Sequence, residues 1–131
     1  VILMRLVTFY SPMKPKKKSI SISKLKRKAD AVFSLWVRAR DKRCVTCNST
    51  YQLQNGHFVS RNHNSTRYDE RNNNAQCAAC NIWKNGNMAK YALYLQNKYG
   101  PEIIKDLVKQ GEKLKQFKRA DLEEIIKKYA R

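Results

Sequence analysis

Two cysteine pairs in C-x-x-C spacing, Cys44/Cys47 and Cys77/Cys80, hold all four cysteines of the chain. A C-x-x-C turn brings two thiolates to one point, and two such knuckles supply the four sulfurs of a tetrahedral structural zinc site. Two surface disulfides are one alternative; spacing this regular in a basic chain without a secretory signal argues against them. A redox pair is another, weakened by the presence of two pairs and no strand–helix pattern of the thioredoxin kind. Four thiolates saturate zinc, so His57, between the knuckles, keeps a free imidazole. Hydrolysing a phosphodiester needs a base of near-neutral pKa to activate water and a cation to stabilise the departing oxygen. His57 has the chemistry for the first task. Asn81, directly after the second knuckle, can offer its amide oxygen to a hard cation such as Mg²⁺ or Mn²⁺, which keeps several waters and takes few protein ligands. His63 lies in a polar stretch and reads as exposed or phosphate-contacting.

The charge balance names the class of partner. Lys and Arg number 28 against 10 Asp and Glu, a net charge of +18 in 131 residues. Self-repulsion on that scale is compensated by a polyanion, nucleic acid first and an anionic membrane surface second. Arg61 and Arg67 flank the His57 region and suit phosphate through their planar guanidinium groups. Lys84 and Lys90 extend that track, and Lys16, Lys17 and Lys18 add a basic run near the start; solvated faces are the bland alternative. No apolar run approaches the roughly 20 residues that span a bilayer. The opening VILM precedes its positive charge, the reverse of a secretory signal. The expectation is a cytoplasmic protein with reduced, metallated cysteines, no membrane partner and a core small enough to need a metal staple.

These residues must be positioned by a few short elements. Residues 1–22, with MKPKKKS and two prolines, read as a basic flexible arm. From Ser23, a plausible N-cap, apolar residues at Leu25, Ala29, Val32, Phe33, Trp36 and Val37 predict an amphipathic helix over about 24–40. Tyr51, Leu53 and Phe58 alternate loosely, as in a short hairpin. The Asn-rich segment 61–74 reads as a long loop, functional or disordered. A helix is predicted from Asn87 to Tyr99, with Met88, Tyr91, Ala92, Leu95 and Tyr99 on one face. Gly100-Pro101 breaks the chain, Pro101 suits the first turn of a helix that Gly111 ends, and a last helix covers Asp121–Tyr129. Trp36 and Trp83 read as core more than as base-stacking residues, while Tyr68 is a stacking candidate.

The order of knuckle, His57, Asn72 ahead of the second knuckle and Asn81 just after it resembles the HNH (ββα-metal, treble-clef) nucleases. That resemblance implies His57 as general base, Asn72 as brace of the loop that holds it, and Asn81 as ligand of the catalytic metal. Asn in the last position resembles phage endonuclease VII, whose zinc is also held by two C-x-x-C pairs. A closer match is the phage lambda NinG (Rap) recombination-nuclease family. NGHFVSR, STRYDERNN, QCAACN, the later GN…Y…L…YG and the helix through VRARD resemble its pattern over roughly residues 23–130. The implied fold is α+β: a small zinc-stapled ββα-metal core over 23–100 with flanking α-helices, extended by helices over 101–131 of the same domain.

The implied activity is metal-dependent endonucleolytic cleavage of branched recombination intermediates, D-loops and Holliday junctions, in a bacterial host's cytoplasm. DNA is the implied partner, with room for a homodimer and for other recombination proteins. One departure stands out. Many HNH enzymes have Asp before the base His, whereas Gly56 precedes His57. Asp69 and Glu70, the carboxylates between Cys44 and Lys90, are the candidates for a second metal ligand; an ion pair with Arg67 or Arg71 is the alternative. A non-catalytic zinc-dependent nucleic-acid-binding module and a sequence-specific HNH nuclease are the competing functions.

Overall fold

A computed structural model describes residues 9–130. Residues 9–20 are exposed and without regular structure, so Lys16, Lys17 and Lys18 stand in solvent. The remainder of the expected arm, residues 1–8, lies outside the described residues. The first helix, α1 (Ile22–Asp41), begins earlier than predicted, because Ser21 caps it and Ser23 lies within its first turn. The Ser21 hydroxyl accepts from Lys24 N at 3.2 Å, and Leu25 N donates to Ser21 O at 2.9 Å. Either serine satisfies the capping rule, and Ser21 is the one whose hydroxyl accepts a first-turn N–H. Leu25, Ala29, Phe33 and Val37 recur every fourth position and form one buried ridge.

Beyond the first knuckle runs β1 (Leu53–His57), paired antiparallel with β2 (Asn73–Cys77), so that Leu53 faces Cys77 and His57 faces Asn73. The strand that completes the hairpin thus lies beyond the long loop, not within residues 51–58 as the alternation predicts. Asn73 and Asn74 are strand residues rather than loop, and β2 is buried throughout. A strand reading Asn-Asn-Ala-Gln is tolerable in an interior only if its amides are hydrogen-bonded. Asn73 Nδ2 donates to Asp69 O at 2.8 Å, Asn74 Nδ2 to Arg71 O at 3.0 Å, and Gln76 Nε2 to Gly86 O at 2.7 Å. The other edge of β2 is closed at Ala75, whose N–H reaches Asp41 Oδ2 and whose carbonyl accepts from Val45 N.

After the second knuckle the chain makes one π-turn (Ala79–Trp83) and then three helices: α2 (Met88–Tyr99), α3 (Ile103–Gly111) and α4 (Arg119–Tyr129). Pro101 falls in the turn before α3 rather than in its first helical turn. α4 starts ahead of the predicted Asp121, whose carboxylate accepts from Lys118 N at 2.8 Å and so serves the orphan donors of the first turn. α4 folds back on α1, where Leu122 joins Leu25 and Ala29, and Tyr129 joins Phe33 and Val37. α2 and α3 make a separate cluster from Tyr91, Leu95, Ile103 and Leu107, which covers Phe58 and Val59 as the chain leaves β1. The result is an α+β protein with a two-stranded sheet held between two helix pairs. Among the described residues no helix is long and apolar enough to cross a membrane.

Candidate functional site

The four cysteine sulfurs all lie within 4.8 Å of one another. Cys47 Sγ and Cys77 Sγ are 3.5 Å apart, near the roughly 3.8 Å sulfur–sulfur edge that a Zn–S distance of about 2.3 Å gives in a tetrahedron. All four are free thiols, so the disulfide reading does not hold. Around them stand hydrogen-bonding groups that suit thiolates: Thr46 Oγ1 at 3.2 Å from Cys44 Sγ, Cys80 N at 3.5 Å from Cys77 Sγ, and Asn87 Nδ2 at 3.6 Å from Cys80 Sγ. Burial raises the Cys44 thiol, but hydrogen bonds from Thr46 and from neighbouring backbone outweigh it and bring its pKa to about 6. For Cys47 a backbone hydrogen bond from Ser49 is opposed by burial and by the sulfurs of Cys77, Cys44 and Cys80, which push its pKa up to about 12. A divalent cation relieves that crowding. The donor set and spacing fit, and the cluster could hold a metal ion such as zinc.

The hairpin stapled by this cluster carries His57 into a cleft of about 340 Å³. Arg61 and Arg67 from the loop, Asn81 from the π-turn and Asp30 from α1 line the same cleft. Burial, then the Arg67 guanidinium, lower the His57 pKa from 6.5 to about 4, so the imidazole is neutral at pH 7. Asn81 Nδ2 donates to Gln54 Oε1 at 2.9 Å, which leaves its carbonyl oxygen as the amide's remaining donor atom for a cation. Asn72 sits behind the cleft, fully buried. Its Oδ1 accepts from Val59 N at 2.7 Å, while its Nδ2 donates to Val59 O at 2.9 Å and Thr66 O at 3.2 Å. The loop that leaves His57 is thereby tied to the strand that returns to the second knuckle. At Gly56 a Cβ would stand 2.1 Å from Oε1 and 2.9 Å from Cγ of the buried Gln76, so any larger residue, Asp included, requires that side chain to shift.

The carboxylates expected to reach a catalytic cation do not line this cleft. Asp69 pairs with Arg71 at 3.0 Å, and Glu70 Oε1 accepts from Tyr129 OH at 2.9 Å. Each is instead held by its own partner, away from the residues that line the cleft. The carboxylate that does line it, Asp30, escapes a reading confined to the segment between the knuckles. Its signal in the sequence is an acid just after the basic run Lys24, Lys26, Arg27 and Lys28 of α1. Asp30 receives Arg67 Nε at 2.8 Å and Nη2 on its second oxygen, together with Tyr68 OH at 2.8 Å. Arg67 therefore pairs with α1 rather than with Asp69 or Glu70. Tyr68 is spent on this bond and on packing against Phe33 and Phe117, not displayed for stacking.

The remaining basic residues separate. Lys84 is exposed at the end of the π-turn. Lys90 lines a different cleft of about 700 Å³ with Arg40, Arg43 and the first knuckle. His63 is exposed, with Nδ1 3.0 Å from Gly111 O. Trp83 is a correction to the core reading: it is 80% exposed, whereas Trp36 stacks on Phe33 and meets Tyr129 edge-on.

These features define a class: small basic α+β proteins in which a four-cysteine knuckle clamps a two-stranded sheet beside a polar, arginine-lined cleft. The family described as Bacteriophage Lambda NinG protein matches residues 11–131, and the chain belongs to that family. The protein ninG of Escherichia phage 933W is 30% identical over 86 residues, covering 62% of this chain and 43% of that protein. Those of Escherichia phage lambda and Salmonella phage P22 are each 28% identical over 86 residues, covering 62% of this chain and 42% of theirs. The chain thus spans less than half the length of the curated relatives it matches. No solved structure matches.

Proposed function

We propose that the chain is a metal-dependent endonuclease of the HNH (ββα-metal, treble-clef) type, hydrolysing DNA at branched recombination intermediates such as D-loops and Holliday junctions in a bacterial host's cytoplasm. The observation that carries this reading is a neutral, half-buried His57 sharing one cleft with Asn81 and two arginines, on a hairpin stapled by four cysteines. A solvated structural histidine needs none of these neighbours.

In this reading the His57 ring, neutral at pH 7, accepts the proton of a water directed at phosphorus; its pKa of about 4 lies below the near-neutral value that best suits a general base, and an anionic phosphate in the cleft would raise it. Arg61 and Arg67 hold the phosphate oxygens, and the paired Asp30 keeps the Arg67 guanidinium in one orientation. Asn72 fixes the backbone on which His57 ends, so the base does not pay a search for its position. A bound Mg²⁺ or Mn²⁺ supplies charge for the crowded phosphate and the departing oxygen. Asn81 would hold it through its free carbonyl oxygen, a sparse set of the kind Mg²⁺ accepts, since both Asp30 oxygens are taken by Arg67 and Tyr68. The four-cysteine cluster, as zinc, is structural. Paired cuts would require two such sites and hence a two-fold dimer.

One observation favours the second reading, a nucleic-acid-binding module without catalysis: both Asp30 oxygens are already engaged by Arg67 and Tyr68. A single experiment separates the two. Labelled four-way junctions, D-loops and linear duplexes of the same sequence are incubated with the chain, with and without Mg²⁺ or Mn²⁺. Cation-dependent nicking at the branch supports the endonuclease. Tight binding with no nicking in either cation supports the module, and equal cutting of a defined sequence in linear duplex supports a sequence-specific HNH enzyme.

A further inference from the structure

Trp83 and Ile82 stand on the π-turn that also carries Asn81, and they are 80% and 53% exposed. An indole bared to water this far is unusual for a residue whose apolar surface ordinarily drives it inside. The chain has two tryptophans. Trp36 is enclosed by Phe33, Tyr129 and the Arg40 guanidinium, whereas Trp83 has no aromatic partner among the described residues.

The turn that displays Trp83 is held from both sides. Lys84 N donates to Ala79 O at 2.9 Å, Asn85 N to Ile82 O at 3.2 Å, and Gly86 N to Cys80 O at 2.9 Å. Asn85, Gly86 and Asn87 then take φ of 49°, 87° and 47° in succession. Non-glycine residues rarely adopt this left-handed backbone, and it persists where the surroundings over-determine it. Gln76 and the Cys80 knuckle provide that hold, through Gly86 O and Asn87 Nδ2. The exposed indole is therefore anchored beside the four-cysteine cluster, with a cationic Lys84 next to it and the Asn81 cleft on the same turn.

We propose that Trp83, flanked by Ile82, is a stacking platform for an unpaired base of DNA. The basic surface draws in the phosphate backbone, and an aromatic face then rewards a base whose own face is free. In continuous duplex every base face is covered by its neighbours. At a branch point or a single-stranded flank it is not, so the platform favours such DNA without reading sequence. This inference rests on the reading of the His57 cleft as a DNA site and assigns that site's selectivity to the π-turn.

The test is equilibrium binding of the full chain, without added Mg²⁺ or Mn²⁺, to a duplex with a short unpaired flank and to a fully paired duplex of the same sequence. Trp83→Ala should bind the unpaired-flank DNA about tenfold more weakly and the paired duplex nearly as the parent does, while Trp83→Phe keeps most of the difference. Tryptophan emission of the parent should be quenched by the unpaired-flank DNA, and Trp83→Phe should lose that quenching. Equal weakening on both DNAs, or no weakening on either, overturns the platform. Cleavage plays no part in this readout, so failure of the nuclease reading, tested through His57→Ala, is told apart from failure of the platform.

Discussion

Burial and the facing Arg67 guanidinium hold the His57 imidazole at a pKa of about 4 against an ordinary 6.5. A base must be unprotonated to act, so its activity is present above that value and lost as pH falls through it. The kcat/KM for cleavage should stay nearly level between pH 7 and about pH 5.5 and decline only as pH approaches 4, because kcat/KM reports the free enzyme. An acid limb centred near 6.5 would mean that the imidazole is not buried as described. His57→Ala should slow cleavage by roughly 10²–10⁴-fold while metal content and DNA affinity stay near those of the parent. Asn81→Ala should also be slow, but its defect should shrink as Mg²⁺ or Mn²⁺ is raised, since a lost ligand weakens occupancy rather than proton transfer. Rescue of His57→Ala by extra cation would remove His57 from the role of base.

Between elements, two clasps hold the site together, and each has its own signature. Asp30 on α1 grips Arg67 in the loop, whose side chain is only 11% exposed. Removing the carboxylate leaves that guanidinium without its ionic partner, so Asp30→Ala should lower stability by about 2 kcal/mol in urea unfolding. An unchanged midpoint would make the pair ornamental. The four-cysteine cluster joins the first knuckle, β2 and the π-turn, and structural zinc binding is coupled to folding by about 10 kcal/mol or more. One zinc per chain is the expected result of metal analysis. Cys77→Ser should then disorganise the hairpin and the cleft together, visible as a collapse of amide dispersion in NMR spectra and not merely as slower cleavage. Full metal absence with an intact spectrum would remove the staple.

For the molecule as a whole, the proposed reading makes charge the factor that sets its affinity for DNA. A chain of +18 that neutralises about six phosphates should lose about three orders of magnitude in affinity between 50 and 200 mM salt. Deleting residues 1–19, which carry Lys16, Lys17 and Lys18 while sparing the Ser21 cap, should weaken binding and flatten that slope. An unchanged slope would make the run a solvated tail. Because phosphate contacts position and do not specify, such an attraction would act on DNA of any sequence, and the proposed reading leaves selection among DNA structures to the cleft and the π-turn.

The sequence by itself determined the parts whose signal is local. The C-x-x-C spacing placed four sulfurs together, and the four-residue recurrence from Leu25 to Val37 defined α1. His57, Arg61, Arg67 and Asn81 were legible as candidates because residue type and position relative to the knuckles carry chemistry. What needed the tertiary structure was everything set by contacts distant in the chain. A strand of Asn-Asn-Ala-Gln looks like loop, since hydropathy cannot register that its amides are hydrogen-bonded by Asp69, Arg71 and Gly86 backbone. Asp30 precedes the first knuckle, so only the packing of α1 on the hairpin brings it to Arg67, and only the fold shows Asp69 held by Arg71 and Glu70 by Tyr129. Trp83 has the composition of a core residue; the π-turn that ties Lys84 to Ala79 is what leaves its indole in solvent.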